Sequence, residues 1–178
     1  MNHRIGSALF VIALAFGLAG CGGGDPSTTK PADAPTVESA VCEPAPRARC
    51  RGADLSNADL SGRDLSGSDL RSANLAGANL AGTDLTDANL IGTDLSGADL
   101  SGAVLARAAL DDAVFVNANL TRARLTSAKA TKTVLEGAVM VDVFATDANF
   151  TGATGGDFSQ VFTCNTTMPD GEVAEPTC

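Results

Sequence analysis

Histidine and the large aromatic residues are scarce in this chain, and that scarcity narrows the chemistry it can perform. There is no Trp or Tyr, and the single His is His3. Because His3 falls in an export segment, the mature chain has no histidine to act as a general base or metal ligand. There is also no glycine-rich phosphate loop and no Ser-His-Asp set. We therefore expect no catalytic residues, no cofactor and no metal, and the chain is predicted not to be an enzyme.

No apolar run in the sequence is long enough to cross a bilayer comfortably. The run from Ile5 to Leu18 has about fourteen residues, whereas a spanning helix needs about 20. It follows a short basic start, His3 and Arg4, and it ends in small residues, as secretory signals do. We therefore predict that residues 1–20 are a signal peptide.

The end of this segment, Leu18-Ala19-Gly20-Cys21, resembles the bacterial lipobox. The resemblance implies that Cys21 becomes the first residue of the mature lipoprotein and carries fatty acids such as palmitate. Several acyl chains hold a protein to a membrane far better than one. We expect attachment to the extracytoplasmic side of the cell membrane or outer membrane. The alternative is ordinary cleavage that leaves Cys21 free. Residues 21–41 lack apolar periodicity, which predicts a flexible linker.

Residues 52–152 repeat in steps of five, and this repeat determines the expected fold. Each unit has one residue, usually a large apolar one, at its centre. The centres are Leu55, Leu60, Leu65, Leu70, Leu75, Leu80, Leu85, Leu90, Leu95, Leu100, Leu105, Leu110, Phe115, Leu120, Leu125, Ala130, Leu135, Met140, Ala145 and Phe150. On an α-helix, residues five apart lie roughly 140° apart around the axis. On one strand, an odd spacing sends them to opposite faces. Neither gives a single core, so the chain must bend once in every unit.

The positions around each centre indicate how the chain bends. A small residue, most often Ala, lies two positions before the centre, and Gly, Asn or Asp is favoured two positions after it. A spacing of two places the small residue and the centre on the same side of an extended segment. Gly, Asn and Asp tolerate turns. Each unit is therefore predicted to form one short side with two inward residues, followed by a corner.

This tandem A(D/N)LXX pattern resembles the pentapeptide-repeat family. The resemblance implies an all-β fold, a right-handed quadrilateral β-helix with four units per coil. The twenty units would then make about five coils. Arg63 and Val143 in the small inward position, and Ala130 and Ala145 at centres, depart from the pattern. They suggest local distortion in the first and last coils.

With four units per coil, residues twenty apart should stack in outward columns, which we assign to sides A to D. Side A has Asp54, Asn74, Asp94, Val114 and Val134; side B has Asp59, Asn79, Asp99, Asn119 and Val139; side C has Asp64, Asp84, Val104, Arg124 and Phe144; side D has Asp69, Asn89, Ala109, Lys129 and Asn149. Asn in the second coil should reduce repulsion between stacked carboxylates. Surface pairs are expected for Asp87 with Arg107, Arg122 with Asp142 and Asp112 with Lys132. A calcium site in the acidic columns is an alternative, but the carboxylates occur one per coil.

Four cysteines flank the repeat. Cys42 and Cys50 precede it in an N-terminal cap, residues 42–51, and Cys164 and Cys178 follow it in a C-terminal cap, residues 153–178. An even count in an exported chain predicts disulfides. Three pairings are possible, and local pairing at each end is favoured because the two pairs lie at opposite ends of the rod. A four-thiolate zinc site is the alternative, but it needs closer spacings.

Apolar residues accumulate at outward positions in the last coils. They are Val114, Val116, Val134, Val139, Val141 and Phe144. An exposed apolar patch usually marks an interface, so a homodimer or another docked partner is expected here. Alternatively, residues 154–178 fold back and cover these side chains.

The sequence therefore predicts a membrane-anchored, extracytoplasmic binding or structural module. Its partners would be the membrane, through the lipid anchor, and an unknown protein or envelope component, but not nucleic acid. The alternative is a DNA mimic that binds a type II topoisomerase, gyrase, as some members of the resembled family do. That reading requires retention in the cytoplasm. The cations Arg122, Arg124, Lys129 and Lys132 also interrupt the negative charge that a mimic needs.

Overall fold

A computed structural model describes residues 42–174. The chain divides into two units, Met1–Glu38 and Ser39–Cys178, and all described residues belong to the second. The predicted signal peptide, Cys21, the linker as far as residue 41 and Cys178 lie outside the described residues. No helix within residues 42–174 has both the length and the apolar character needed to cross a membrane.

Each five-residue unit forms a short extended side and a corner. Every corner from residue 52 to residue 152 contains one residue with a positive φ, between 54° and 72°. At one such corner the N–H of Ala58 donates to the carbonyl of Leu55 at 3.1 Å, and Asn57 between them has a φ of 56°. This geometry is that of a type II turn, which requires a left-handed residue in its third position. The repeat of Gly, Asn and Asp therefore supplies the corners, as the sequence predicts.

Successive coils are joined by parallel pairing at an offset of twenty residues. Asp54 pairs with Asn74, Asp59 with Asn79, and the other outward residues follow the same register. The N–H of Asn74 donates to the carbonyl of Ala53, and the N–H of Leu55 donates to the carbonyl of Asn74. The four predicted columns are confirmed, and side D extends downward to Arg49, which pairs with Asp69.

Only four runs of two residues count as strands in the described part of the chain. They are β1 (Val134–Leu135), β2 (Val143–Phe144), β3 (Thr154–Gly155) and β4 (Val161–Phe162). β1 pairs with β3 and β2 pairs with β4, both in parallel. Elsewhere a single outward residue on each side carries the pairing, because the chain turns before a longer strand can form.

The interior is a continuous column of centres and small residues. Leucines from Leu65 to Leu110 are almost completely buried, and Phe115 and Phe150 replace them without becoming exposed. The buried hydroxyl groups of Thr83 and Thr93 donate to the carbonyls of Leu60 and Leu70. These hydrogen bonds satisfy polar atoms that would otherwise destabilise the core.

The departures from the repeat do not all distort the coil. Pairing keeps its offset of twenty residues beside Arg63 and Ala130, at Asp64 with Asp84 and at Lys129 with Asn149. Arg63 is exposed, whereas Ala130 is buried. The expectation of distortion at these two positions is therefore wrong. Short side chains and a solvent-facing arginine are accommodated because backbone hydrogen bonds, not side-chain size, set the register.

The register does change at the C-terminal end. Val143 pairs with Val161, Phe144 with Phe162 and Asn149 with Thr167, each at an offset of 18 residues. The shortening falls between Gly155, which still pairs with Leu135, and Val161. At Gly155 a Cβ would lie 2.7 Å from the Glu136 nitrogen, so the chain passes too close to the coil beneath for another residue. At Gly156 a Cβ would lie 3.1 Å from the Leu135 Cβ, and the φ of 79° favours glycine. Thr167 then pairs antiparallel with Val173.

The amino-terminal end is closed by a disulfide between Cys42 and Cys50, whose Cα atoms are 5.1 Å apart. Cys50 is buried at the base of the core. Cys164 is also disulfide-bonded, and its predicted partner, Cys178, lies outside the described residues.

Candidate functional site

The six apolar residues predicted as an interface lie on three sides rather than one. Val114 and Val134 stack in the column of side A, and Val116 lies in the corner that follows Val114. Val139 belongs to side B, followed by Val141, and Phe144 belongs to side C. The large apolar residues that are exposed in the described part of the chain are Val139 and Phe144, which were predicted, and Phe162 and Val173, which were not. The exposed apolar side chains are therefore distributed around the C-terminal end of the coil and do not form a single flat patch.

On side C, two phenylalanines form an exposed stack. The rings of Phe144 and Phe162 have centroids 4.9 Å apart and planes 18° apart, and the residues remain 45% and 49% exposed. Beneath Phe144 lies a cavity of about 410 Å³, lined by Arg124, Thr126, Phe144 and Thr146. The pairing of β2 with β4 brings the two rings together, because it places Phe162 directly above Phe144.

On side B, the two-residue shortening leaves the last strand edge open. Val139 pairs with Asn119 below it, but no residue in the described part of the chain pairs above it. In the same part of the chain, the N–H of Met140 and the carbonyl of Ala138 have no hydrogen-bond partner. One coil below, the equivalent N–H of Leu120 donates to Val139, and the equivalent carbonyl of Ala118 accepts from it.

A groove of about 190 Å³ lies at this open edge. It is lined by Ala138, Val139, Met140, Val141, Asp157 and Gln160. Hydrogen bonds from the side chain and backbone of Ser159 lower the pKa of the Asp157 carboxyl, so Asp157 is ionised at neutral pH. The groove therefore combines free backbone groups, an exposed valine and one negative charge.

The C-terminal residues cover the top of the core but not these side chains. Phe158 packs edge-on against Phe150, with centroids 5.1 Å apart, and Val161 is almost buried. The sequence left open the alternative that residues 154–178 cover the apolar side chains. As far as residue 174, these residues cover the core but not the apolar side chains at the surface. Val139, Phe144 and Phe162 remain accessible.

The lower coils are polar, and their carboxylates are engaged locally. Asn74 donates through Nδ2 to the Asp54 carboxylate at 3.1 Å, and Asn79 does the same to Asp59. The predicted role of Asn in the acidic columns is therefore confirmed for Asn74 and Asn79, whereas Asn89 accepts a hydrogen bond from the N–H of Ile91 and forms none with Asp69 within residues 42–174. Hydrogen bonds from Ser56 also lower the pKa of Asp54. Within residues 42–174, no group of three or more His, Cys, Asp or Glu side chains could hold a metal ion.

Two of the three expected surface pairs form. Arg107 binds Asp87 through two hydrogen bonds, and Arg122 lies 3.7 Å from Asp142. Asp112 and Lys132 form no ion pair within residues 42–174. A pair that the sequence did not predict joins Arg71 to Asp69 within one unit, and this arginine lowers the pKa of Asp69 to about 2.

Comparison with known proteins gives a family match over most of the coil. The family model "Pentapeptide repeats (8 copies)" matches residues 48–87, 83–122 and 118–154, which together span more than half of the chain. No curated protein sequence matches significantly.

Three solved structures of similar proteins illustrate the likeness. A pentapeptide repeat protein from the thylakoid lumen of Arabidopsis thaliana is 36% identical, covering 61% of this chain and 69% of its own, with a TM-score of 0.43. One from the cyanobacterium Cyanothece 51142 is 26% identical, covering 64% and 89%, with a TM-score of 0.32. A plasmid-mediated fluoroquinolone resistance protein is 19% identical, covering 70% and 75%, with a TM-score of 0.41. All three scores are below 0.5, so the assignment rests on the family match.

Proposed function

The chain belongs to the pentapeptide-repeat family, and from that premise we propose that it is a non-catalytic binding module anchored to the extracytoplasmic side of a membrane. The lipobox-like sequence ending at Cys21 supports the anchor. The open edge at the C-terminal end supports binding, because unpaired backbone groups beside exposed apolar side chains are a template for another chain.

The occupant we propose for this edge is a second copy of the same chain. In an antiparallel pair centred on Val139 and its copy, the N–H of Met140 would meet the carbonyl of Ala138 in the other copy, and the reverse. Both free groups of each copy would then be satisfied by one two-fold axis. The exposed side chain of Val139 would lie against its counterpart. The self-complementarity of this edge is the observation that carries the dimer.

Fractionation of cells that express the tagged protein tests the anchor. We expect the parent in the membrane fraction, with its amino-terminal peptide carrying fatty acid on Cys21. The matched control, Cys21→Ser, should appear in the soluble extracytoplasmic fraction. A parent protein without attached fatty acid, or one recovered from the cytoplasm, contradicts this part of the proposal.

Sedimentation of the mature chain with Cys21→Ser tests the dimer. We expect a concentration-dependent dimer that Val139→Asp abolishes, since two like charges would meet on the axis. Val104→Asp is the matched control, because side C already carries Asp64 and Asp84 beneath that position. A strict monomer at high concentration would remove the dimer and leave the edge for a different partner.

The acidic lower coils favour one alternative, a DNA mimic that binds a type II topoisomerase in the cytoplasm. Asp54, Asp59 and Asp64 present negative charge on three sides of the first coil. The fractionation experiment separates the two functions, because a DNA mimic must remain in the cytoplasm. Cations from Arg107 upward oppose this alternative, since a mimic requires phosphate-like charge along its length.

A further inference from the structure

The amino-terminal edge of the coil carries three exposed arginines, Arg47, Arg49 and Arg51, which we call the N-terminal basic patch. Within residues 42–174, none of the three forms an ion pair. The segment 42–51 contains one acidic residue, Glu43, against these three arginines, although the whole chain has a net charge of −9. The sign of the charge is therefore reversed at this end of the coil.

The patch lies at the base of side D. Arg49 pairs with Asp69 in the column of that side. The Arg47 side chain packs beneath the corner at Gly67, since a Cβ there would lie 3.3 Å from the Arg47 Cγ. The Asp69 carboxylate is already bound by Arg71 at 2.8 and 2.5 Å. Asp69 therefore forms its close ion pair with Arg71 and acts on Arg51 only through a longer-range charge interaction.

The backbone beneath the patch is held in place. The N–H of Arg47 donates to the carbonyl of Ser66, and the N–H of Cys50 donates to the carbonyl of Asp69, both at 2.8 Å. The disulfide from Cys50 to Cys42 fixes the preceding turn. The three guanidinium groups are thus presented from backbone that is fixed by pairing and by the disulfide, which lowers the entropy lost when they bind.

The other three sides of the first coil together carry a net negative charge, because their three exposed carboxylates outnumber the one exposed cation, Arg63. They present the exposed carboxylates of Asp54, Asp59 and Asp64, none of which forms an ion pair within residues 42–174. A negatively charged surface would attract the base of side D and repel the remaining sides. The charge pattern therefore selects both a partner and an orientation.

We propose that the N-terminal basic patch docks the coil on an anionic phospholipid surface. This inference rests on the proposed lipid anchor for its biological setting. Residue 42 follows Cys21 by 21 positions, which an extended chain spans in at most about 75 Å. The anchor would thus keep the patch within reach of the membrane. The patch would add an electrostatic contact to the lipid anchor and would orient the coil on the membrane surface.

Co-sedimentation with lipid vesicles tests the docking. The probe is the mature chain, residues 21–178, with Cys21→Ser so that no acyl chain contributes. Vesicles contain either phosphatidylcholine alone or phosphatidylcholine with phosphatidylglycerol, in about 0.1 M salt, where the Debye length is about 10 Å. We expect binding to the anionic vesicles alone, and weaker binding as the salt concentration rises.

Two matched variants locate the contact. Each arginine near an anionic surface contributes about fivefold to partitioning, so Arg49→Gln with Arg51→Gln should lower binding about 25-fold. The control is Lys129→Gln with Lys132→Gln, which removes the same charge. Lys129 lies four coils above Arg49 in the column of side D, about 19 Å away. This control should bind like the parent.

Three outcomes overturn the proposal: equal binding to neutral and anionic vesicles, an arginine variant that binds like the parent, or equal losses in both variants. The last would indicate a general charge effect without a defined contact. Because the tested chain carries no fatty acid, a failure to bind anionic vesicles would not contradict the proposed lipid anchor. Failure of the anchor in the fractionation experiment likewise leaves the vesicle result unchanged.

Discussion

Replacing Leu95 with Asp tests the inward assignment of the repeat most severely. Leu95 is completely buried, and the centres that stack with it, twenty residues away in each direction, are Leu75 and Phe115. Its neighbour Asp94 points outward and pairs with Val114. Two neighbouring positions, Leu95 and Asp94, therefore face the core and the solvent, respectively.

The expected loss of stability is comparable to the whole stability of a domain. Removing the contacts of a fully buried leucine costs about 3–5 kcal/mol, and an unpaired buried carboxylate adds several kcal/mol. A typical domain is stable by about 5–15 kcal/mol. Leu95→Asp should therefore abolish cooperative folding or lower the Tm by more than about 20 °C.

Thermal unfolding followed by circular dichroism at pH 7 measures this effect. Leu95→Asn, which has the shape of Asp without its charge, should be less damaging and isolates the electrostatic part. Asn117→Asp is the surface control, because that residue is an exposed corner and other corners already carry Asp. If Leu95→Asp melted within a few degrees of the parent, the leucine column would not be the core.

Three further measurements test separate parts of the structure. Changing Cys42 and Cys50 to Ser opens the disulfide and should lower the free energy of unfolding by about 2–3 kcal/mol; unchanged urea midpoints would show that the bridge does not stabilise the end. Arg71 holds the pKa of Asp69 at about 2, so their pair stabilises the fold above about pH 4 and is lost as the pH falls towards 2. Arg71→Ala should therefore lower the free energy of unfolding at pH 7 and reduce its further decrease as the pH falls. If the free energy of unfolding depended on pH in the same way in the parent and the variant, the pair would not stabilise the fold. Ser127 has a φ of 57°, so Ser127→Gly should add up to about 1 kcal/mol of stability; a lower Tm would contradict the corner geometry.

The coil could be predicted from the sequence because one local rule is repeated. Each inward residue, outward residue and corner recurs every five positions, so the columns follow once four units make a coil. The stacked pairs of Asn74 with Asp54 and Asn79 with Asp59 form as that register requires. The handedness of the coil stays a prediction.

The C-terminal end could not be predicted in the same way, because the repeat stops there. The sequence between Gly155 and Gln160 contains no pattern that predicts how much shorter the last coil is. That loss of two residues places Phe162 over Phe144 and leaves the edge at Val139 open. The structure exposes apolar side chains at the C-terminal end, as the sequence predicts, but these residues are distributed over three sides, and their role as an interface stays a prediction.

The most direct test of the account is disulfide trapping between outward residues one coil apart. In a background with Cys21→Ser, Val104→Cys with Arg124→Cys places two thiols at paired positions on side C. Paired strands lie about 4.8 Å apart, and disulfides form at Cα separations of about 4.4–6.8 Å. The control, Val104→Cys with Lys129→Cys, places the thiols on different sides. A coil of twenty residues should give rapid cross-linking of the first pair and none of the second, as mapped by peptide mass. Equal cross-linking of both pairs, or none in the first, would contradict a coil of twenty residues.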